Sequence, residues 1–292
     1  MAHEWNKPYA EHIVAQAIKQ AGIDDPPSLV RLARTAVFRV GNTAVKLCPL
    51  DHRPIEDVRA EADLTNLLHD RGLPVPRQLG EVFQIEDVAI TISEYIEHSP
   101  DQPIDWYGLG LMVRDIHSLD VNGLGLKPKT NNDAERYQGR ISVLSEKDLL
   151  NPREADYLLG VLESTQVQIA EVSGDLVLCH GDLQTGNVLR KGEKIFVVDW
   201  EKAQAAPAAV DLSKMVGRLE RYGLPRHDYD NFCRGYGVRD ISALGGVRGL
   251  RNLSEVGGIT YLLGSPEEKH RQQARLRLSD LMSGTQSIWR DF

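Results

Sequence analysis

Residues 178–189 read LCHGDLQTGNVL, and residues 194–201 read KIFVVDWE. Each stretch contains an apolar, strand-like run next to polar residues, which predicts short strands around a polar loop. Asp182 and Asn187 lie in the loop, and Asp199 follows the last apolar run. The spacing from Asp182 to Asn187 lets the loop turn back, so we expect the two side chains to face one cleft.

These residue types suit the transfer of a phosphoryl group from a nucleotide. That reaction needs a carboxylate to accept the proton of the acceptor hydroxyl, oxygen ligands for Mg²⁺ and a cation on the donor phosphates. Asp182 is the candidate catalytic base, and Asn187 and Asp199 are the candidate Mg²⁺ ligands. A buried polar turn followed by an unrelated aspartate is the alternative interpretation.

The order His180-Gly181-Asp182, then Asn187, then an apolar run ending at Asp199 resembles the aminoglycoside phosphotransferase and choline kinase-like family. The resemblance implies an α+β, two-lobed, protein-kinase-like fold. Its N-terminal lobe is a small antiparallel sheet, and its C-terminal lobe is larger and mostly helical. The resemblance also implies ATP as the donor, with GTP as the other candidate, Mg²⁺ as the metal, and a structural role for His180 beneath the loop.

Lys46 is the candidate for the cation on the donor phosphates. It lies between apolar residues in a predicted strand, where kinases place their phosphate-binding lysine. On the predicted helix 56–71, Glu61 shares one face with Val58, Ala62, Thr65 and Leu68. A carboxylate on an apolar face is costly unless it is paired, so Glu61 is the expected partner of Lys46. Glu56 and Asp57 are the competing partners, and an exposed surface lysine is the alternative.

Further segments carry the resemblance over about residues 30 to 215. These are Gly72–Pro76, Ser93–Glu97, Leu111–His117 and Ala206–Leu212. The resemblance implies that backbone groups near Glu94 and Ile96 bind the edge of the adenine.

The segment expected to cover the phosphates departs from the family pattern. The family often has a glycine or a small polar run there, but Leu32–Ala36 contains no glycine. Backbone amides can still cap a phosphate, although the close approach that glycine permits is missing. Arg34 either contacts a phosphate or is only a solvated strand end.

The chain is expected to divide near residue 100. Two hairpins are predicted at 37–47 and 81–96, with helices at 8–21 and 56–71. The proline-containing segment 97–103 reads as a linker. Beyond it, helical periodicity predicts helices at about 106–118, 153–172, 207–222, 248–262 and 266–282. We therefore expect a nucleotide-binding lobe at 1–96 and a catalytic and acceptor-binding lobe at 104–292.

Composition excludes several classes of protein. Among 292 residues, 34 are Lys or Arg and 42 are Asp or Glu, which gives a net charge of −8. That charge argues against generic binding to nucleic acid or to an anionic membrane surface. The apolar runs are far shorter than the roughly 20 residues of a membrane-spanning helix. The N-terminus has no secretory signal pattern, and the three cysteines have no CxxC spacing, so a cytoplasmic protein is expected.

The acceptor is less well specified by the sequence. The resemblance implies that the C-terminal helices shape much of the acceptor pocket. Residues 201–292 contain 14 basic and 11 acidic residues. A pocket for a polycationic aminoglycoside needs clustered carboxylates, because each desolvated ammonium must be paired. The basic balance disfavours that substrate, although some carboxylates could still gather: Glu201, Asp211, Glu220, Asp228 and Asp230.

The predicted function is therefore transfer of the γ-phosphoryl group to a hydroxyl of a small molecule. The acceptor is either an antibiotic or a sugar or amino-alcohol metabolite, and the oligomeric state is left open. A kinase-fold module that binds nucleotide for regulation, or that modifies a protein, is the alternative. A hydrolase with an aspartate nucleophile is disfavoured, because Asn187 and Lys46 would then have no role.

Overall fold

The computed structural model describes residues 6–98, 102–126, 133–170 and 175–290. The chain divides into two compact units. The sheet unit comprises Met1–Ile104, Asn122–Gly125 and Gln184–Ala203, and the helical unit comprises Asp105–Val121, Leu126–Leu183 and Gln204–Phe292. Within the expected linker 97–103, residues 99–101 lie outside the described residues.

The first part of the sheet unit contains a five-stranded antiparallel sheet in the order β1-β2-β3-β5-β4. Its elements are α1 (Lys7–Ala21), β1 (Pro27–Leu32), β2 (Ala36–Val40), β3 (Thr43–Pro49), α2 (Ile55–Asp70), β4 (Phe83–Ile85) and β5 (Val88–Glu94). Both predicted hairpins are present, with turns at Gly41-Asn42 and Glu86-Asp87.

The two faces of this sheet have different surroundings. One face packs against α1 in a hydrophobic core. The side chain of Asn6 caps the N-terminus of α1. The residues of this core include Ile13, Val14, Phe38, Val45, Leu47 and Ile90. Because successive strand residues point to opposite faces, Lys46 lies on the face opposite Val45 and Leu47.

The chain after β5 contains the remaining helices and strands. In chain order they are α3 (Trp106–His117), α4 (Asp133–Glu146), α5 (Pro152–Ala170), β6 (Val177–Cys179), β7 (Val188–Lys191), β8 (Lys194–Val197), β9 (Gln204–Ala206), α6 (Ala209–Arg221), α7 (Arg226–Tyr236), α8 (Val247–Leu263) and α9 (Glu268–Ser283). Strands β7 and β8 form an antiparallel hairpin of the sheet unit, and β6 pairs with β9 in the helical unit.

A hydrophobic core and a close crossing of two helices hold the helical unit together. Helices α4, α5, α8 and α9 share a hydrophobic core that includes Ile141, Leu158, Leu162, Val256 and Leu278. Helices α3 and α7 cross at two glycines: a Cβ on Gly110 would lie 2.3 Å from the carbonyl oxygen of Phe232, and one on Gly235 would lie 2.1 Å from that of Tyr107. The two helix backbones approach closely because neither position has a side chain.

The predicted α+β class is confirmed, with an antiparallel sheet in the N-terminal part and a mostly helical C-terminal part. The predicted helices are all present within a few residues of their expected bounds. The sequence patterns predict neither strands β1 and β9 nor helices α4 and α7. Within the described part of the chain, no helix combines the length and the apolar character needed to cross a membrane.

Candidate active site

A cavity of about 370 Å³ lies within the sheet unit. Its lining comes from β1, β2, β3, β5, α2, the segment after β5 and the residues around the β7–β8 hairpin. Six residues singled out from the sequence line it: Lys46, Glu61, Glu94, Ile96, Asn187 and Asp199. The sheet unit therefore brings together the expected phosphate cation, its carboxylate partner, both expected metal ligands and the expected adenine-binding segment.

Lys46 is held between two carboxylates in this cavity. Its Nζ lies 3.3 Å from Oε1 of Glu61 and 2.8 Å from Oδ1 of Asp199. Burial disfavours the ammonium form and by itself lowers the pKa of Lys46. The carboxylates of Glu61 and Asp199 outweigh that effect and hold the pKa of Lys46 above its usual value. Lys46 therefore carries a full positive charge into the cavity at neutral pH.

Glu61 is positioned by a second cation as well as by Lys46. Arg53, just before α2, donates from Nη1 to Oε2 of Glu61 and from Nη2 to the carbonyl oxygen of Asp57, 2.7 Å away. Its Nη1 also lies 3.9 Å from Oε2 of Glu201. The side chains of Arg53 and Glu61 are each only 13% exposed. Glu61 is thus fixed from both sides, so its carboxylate in turn fixes the direction of Lys46.

Asn187 and Asp199 flank the β7–β8 hairpin. Asn187 precedes β7 and is buried, and Asp199 follows β8 by two residues. The N–H of Val198 donates to the carbonyl oxygen of Asn187 over 3.0 Å, which closes the open end of the hairpin. The pairing of β7 with β8 thereby brings Asn187 and Asp199 together, although both strands lie between them in the sequence.

Asp199 has a left-handed backbone with φ of 68°. Few residues other than glycine adopt this conformation, but aspartate and asparagine tolerate it. Next to it, Trp200 is buried and donates from Nε1 to the carbonyl oxygen of Val197, 3.1 Å away. The turn after β8 therefore has a fixed shape that presents the Asp199 carboxylate to the cavity.

The donor set fits Mg²⁺. This ion prefers oxygen ligands and usually takes one or two side chains from the protein, with phosphate oxygens and waters completing its coordination. Asp199 offers a carboxylate and Asn187 an amide oxygen, and both residues line the cavity. A third protein ligand is not required for this kind of site.

The loop that contains Asp182 belongs to the helical unit and is anchored by Asp211 of α6. The N–H groups of His180 and Gly181 donate to the two carboxylate oxygens of Asp211 over 2.7 and 2.8 Å. Nε2 of His117 lies 3.3 Å from the same carboxylate. Burial alone raises the pKa of Asp211, but the hydrogen bond from His117, its charge and the backbone N–H of Gly181 hold the pKa below its usual value.

Asp182 and His180 have different surroundings in this loop. His180 is fully buried, and its Nδ1 lies 3.2 Å from the backbone N of Asp182. The side chain of Asp182 is half-buried. Because His180 is enclosed and contacts the backbone of the loop, its surroundings suit a structural residue. Asp182 is the residue of the pair with access to solvent.

Arg34 does not line the described cavity. It lies in the exposed turn between β1 and β2, whereas Arg31 of β1 is one of the lining residues. Neither Arg31 nor Arg53 was singled out from the sequence, because neither belongs to a motif and neither lies on a periodic apolar face. Arg31, which lines the cavity, and Arg53, which holds Glu61, are therefore cations that sequence reasoning missed.

A family model described as "Phosphotransferase enzyme family" matches residues 30–250, more than half of the chain. The chain belongs to this phosphotransferase family. The match extends past residue 215, where the resemblance found by motif ends, and into α8. Among curated proteins, no sequence matches the chain.

Solved structures share the fold of this phosphotransferase at low sequence identity. APH(2")-IIia in complex with GDP and kanamycin is 14% identical, with a TM-score of 0.73, and 94% of this chain and 99% of that chain are covered. A spectinomycin phosphotransferase in complex with ADP and spectinomycin is 19% identical, with a TM-score of 0.65 and coverage of 92% and 93%. A choline/ethanolamine kinase family protein from Mesorhizobium loti is 18% identical, with a TM-score of 0.68 and coverage of 94% and 93%.

These likenesses show the fold, which is the protein-kinase-like fold of the aminoglycoside phosphotransferases and choline kinases. The resemblance found from the motifs around Asp182 and Asp199 is therefore confirmed at the level of family and fold. The roles of individual residues in this phosphotransferase stay predictions.

Proposed function

We propose that this phosphotransferase moves the γ-phosphoryl group of a nucleotide to a hydroxyl of a small molecule. The observation that carries the proposal is the convergence of Lys46, Asp199 and Asn187 in one cavity of the sheet unit. A strongly held ammonium and two oxygen ligands are the groups that a Mg²⁺-nucleotide needs. ATP is the proposed donor and GTP the alternative, since related structures contain ADP or GDP.

Each residue has a distinct role in the proposal. Lys46 neutralises charge on the donor phosphates, and Glu61 keeps its ammonium in place. Asn187 and Asp199 hold Mg²⁺, which when bound neutralises charge that develops on the phosphates. Asp182 orients the acceptor hydroxyl and accepts its proton late in the transfer. Backbone groups near Glu94 and Ile96 contact the base of the nucleotide.

The five carboxylates singled out from the sequence as possible partners of a polycationic acceptor are already engaged. In the helical unit Glu220 pairs with Arg248 and Arg251, and Asp230 pairs with Arg226. Other carboxylates are also engaged: Asp211 by backbone N–H groups, Asp228 by His227 and, in the sheet unit, Glu201 by Arg53. A carboxylate already paired with a cation is a poor partner for an incoming ammonium.

A neutral or anionic hydroxylated metabolite, or an antibiotic with little positive charge, is therefore the favoured acceptor. Kanamycin and spectinomycin are bound in two structures that share the fold, and antibiotic resistance is one outcome that the proposal allows. Because the donor is a cytoplasmic metabolite, we propose that the protein acts in the cytoplasm.

The test is acceptor-dependent release of the nucleoside diphosphate. Wild-type protein and Asp182→Asn are mixed with Mg²⁺ and ATP or GTP, and sugars, amino alcohols, nucleosides and antibiotics are added one at a time. We expect wild-type protein to release ADP or GDP only with certain acceptors, and Asp182→Asn to bind nucleotide but release little.

Two other outcomes would replace the proposal. Release without any acceptor, at the rate seen with acceptors, would indicate a hydrolase. Nucleotide-dependent stabilisation in a thermal shift assay, with no release for any acceptor class, would favour the regulatory or protein-modifying module.

A further inference from the structure

Strand β1, at the edge of the sheet, contains an irregularity next to the cavity. In its ladder with β2, Leu29 pairs with Phe38 and Arg31 pairs with Val37, so Val30 is an extra residue on β1. This is a β-bulge, a feature that changes the direction of side chains and is common beside active sites. In a regular ladder Val30 would lie opposite Val37, and Arg31 would be turned to the other face of the sheet.

The bulge places Arg31 in one cross-strand row with Lys46. Val37 pairs with Lys46 in the next ladder, and Lys46 pairs with Thr91 in the one after it. Residues directly opposite in adjacent strands share a face. Arg31, Val37, Lys46 and Thr91 all line the cavity, so two cations occupy the same row.

The guanidinium of Arg31 lies beside the proposed metal ligand. Its Nη2 is 3.7 Å from Oδ2 of Asp199 and donates to Oγ1 of the buried Thr35 over 3.2 Å. Lys46 occupies the other carboxylate oxygen of Asp199, at 2.8 Å. The side chain of Arg31 is 48% exposed, so part of the guanidinium remains accessible from the cavity.

The turn next to Arg31 cannot bring its backbone close to a phosphate in the way a glycine-rich turn does. Residues Leu32–Ala36 contain no glycine, and each therefore carries a Cβ. A guanidinium reaches further than a backbone amide and offers two parallel N–H donors to phosphate oxygens. A side chain that projects from β1 can therefore contact a phosphate that the backbone of this turn cannot approach closely.

We propose that Arg31 is a phosphate-binding residue of the nucleotide site, and that it contacts the terminal phosphates rather than the α-phosphate. The proposal rests on the proposed function, because it presumes that the cavity binds a nucleotide. The reason for the terminal phosphates is that Arg31 lies against Asp199, the residue proposed to hold the Mg²⁺ that neutralises them. Thr35 and Asp199 hold the guanidinium at this position.

The test compares nucleotide affinities by calorimetry in the presence of Mg²⁺. Arg31→Met removes the charge and keeps most of the apolar part of the side chain. Arg31→Lys keeps the charge but lacks the two parallel N–H donors of the guanidinium. Arg59→Met is the matched control, because Arg59 is an exposed arginine of α2 in the same unit. AMP, ADP and ATP are measured, or the guanine series if wild-type protein binds that series more tightly.

We expect Arg31→Met to lose about tenfold in affinity for the diphosphate and the triphosphate, the size of one charge-assisted contact at a partly exposed site. Affinity for the monophosphate should stay within about twofold. Arg31→Lys should be intermediate, and Arg59→Met should match wild-type protein throughout.

Three results would overturn the proposal. Affinities of Arg31→Met for both the diphosphate and the triphosphate within about twofold of wild type would show that Arg31 does not contact the phosphates. An equal loss for all three nucleotides would indicate an effect on the shape of the cavity. Tighter binding by Arg31→Met would mean that Arg31 only competes with Mg²⁺ for Asp199. Wild-type protein that binds no nucleotide would instead overturn the proposed function, and this proposal with it.

Discussion

Lys46 and Asp199 are 153 positions apart in the chain, and Nζ of Lys46 lies 2.8 Å from Oδ1 of Asp199. The contact joins β3 of the five-stranded sheet to the turn after β8 within the sheet unit. It connects the proposed phosphate cation with the proposed metal ligand, and the carboxylates of Glu61 and Asp199 together hold the pKa of Lys46 above its usual value against the effect of burial. Substitutions at these residues and at their neighbours separate the effects of the charges on binding, turnover and stability.

Asp199→Asn should abolish turnover without unfolding the protein. Asparagine tolerates the left-handed backbone at this position, so the melting temperature should change little. Loss of the carboxylate should remove the gain in ADP affinity that Mg²⁺ produces and lower the turnover number by about 10³-fold. Calorimetry with and without Mg²⁺, together with an assay of ADP release, measures both effects. Turnover close to that of wild-type protein would show that Asp199 is not a metal ligand.

Lys46→Met should raise the Michaelis constant for the nucleotide at least about tenfold, since a desolvated contact between a charge and a phosphate is lost. Glu61→Gln should produce a smaller defect in the same direction, because Arg53 still holds that side chain. Glu56→Gln is the control, since Glu56 lies exposed in the first turn of the same helix. Steady-state kinetics with varied nucleotide concentration measures all three variants. A harmless Glu61→Gln beside a damaging Glu56→Gln would contradict the assigned pairing.

Asp182→Asn should separate catalysis from nucleotide binding. The amide keeps the size and hydrogen bonding of the carboxylate but cannot accept the proton of the acceptor. Turnover should therefore fall by about 10²–10⁴-fold, the usual contribution of a positioned general base. Affinity for Mg²⁺-nucleotide and the melting temperature should stay near wild-type values. A lower melting temperature with normal turnover per folded molecule would make Asp182 a structural residue of the loop.

Asp211→Asn should destabilise the helical unit by about 3 kcal/mol, because the buried N–H groups of His180 and Gly181 lose a charged acceptor. The pKa of Asp211 is lowered in the folded state, so its stabilisation is complete above the usual aspartate pKa of about 3.9. That stabilisation is lost as the pH falls below this value toward the pKa of the folded state.

Urea unfolding of wild-type protein and Asp211→Asn between pH 3 and pH 7 tests this sign. The difference in the free energy of unfolding should be largest near neutral pH and should shrink as the pH falls below about 4. Asp230→Asn, which removes an exposed pair with Arg226, should change that free energy by less than about 1 kcal/mol. A difference that does not depend on pH would show that the charge of Asp211 does not stabilise the fold.

Much of the site could be predicted because its signals are local. Asn187 and the run that ends at Asp199 stand close together in the sequence, and Glu61 is a charged residue on an apolar helix face. The place of Asp182 in the site stays a prediction, because Asp182 is not among the residues that line the described cavity. Arg31 has no such signal, because alternation counted from Leu29 assigns it to the other face of the sheet. Only the pairing of β1 with β2 shows the extra residue.

The elements missed from the sequence have weak patterns. Strand β1 begins with Pro27, is mostly exposed and lies at an edge of the sheet, where proline is tolerated and alternation is not required. Helix α7 contains Gly235, a poor helix former that is needed there because α3 crosses closely. The division of the chain at 97–103 stays a prediction, and the sheet unit also takes in the segment 184–203.

The left-handed backbone of Asp199 limits which residues can replace it in the folded protein. Most replacements there strain the turn after β8 and so reduce the amount of folded protein. Asparagine and glycine fit the turn, and each is reached from an aspartate codon by a single base change. Under the proposed metal-binding role of Asp199, a folded but inactive form that still binds the acceptor is thus one point mutation from the wild-type protein. Among gene variants at position 199, those that keep the protein abundant while silencing it should carry one of these two residues.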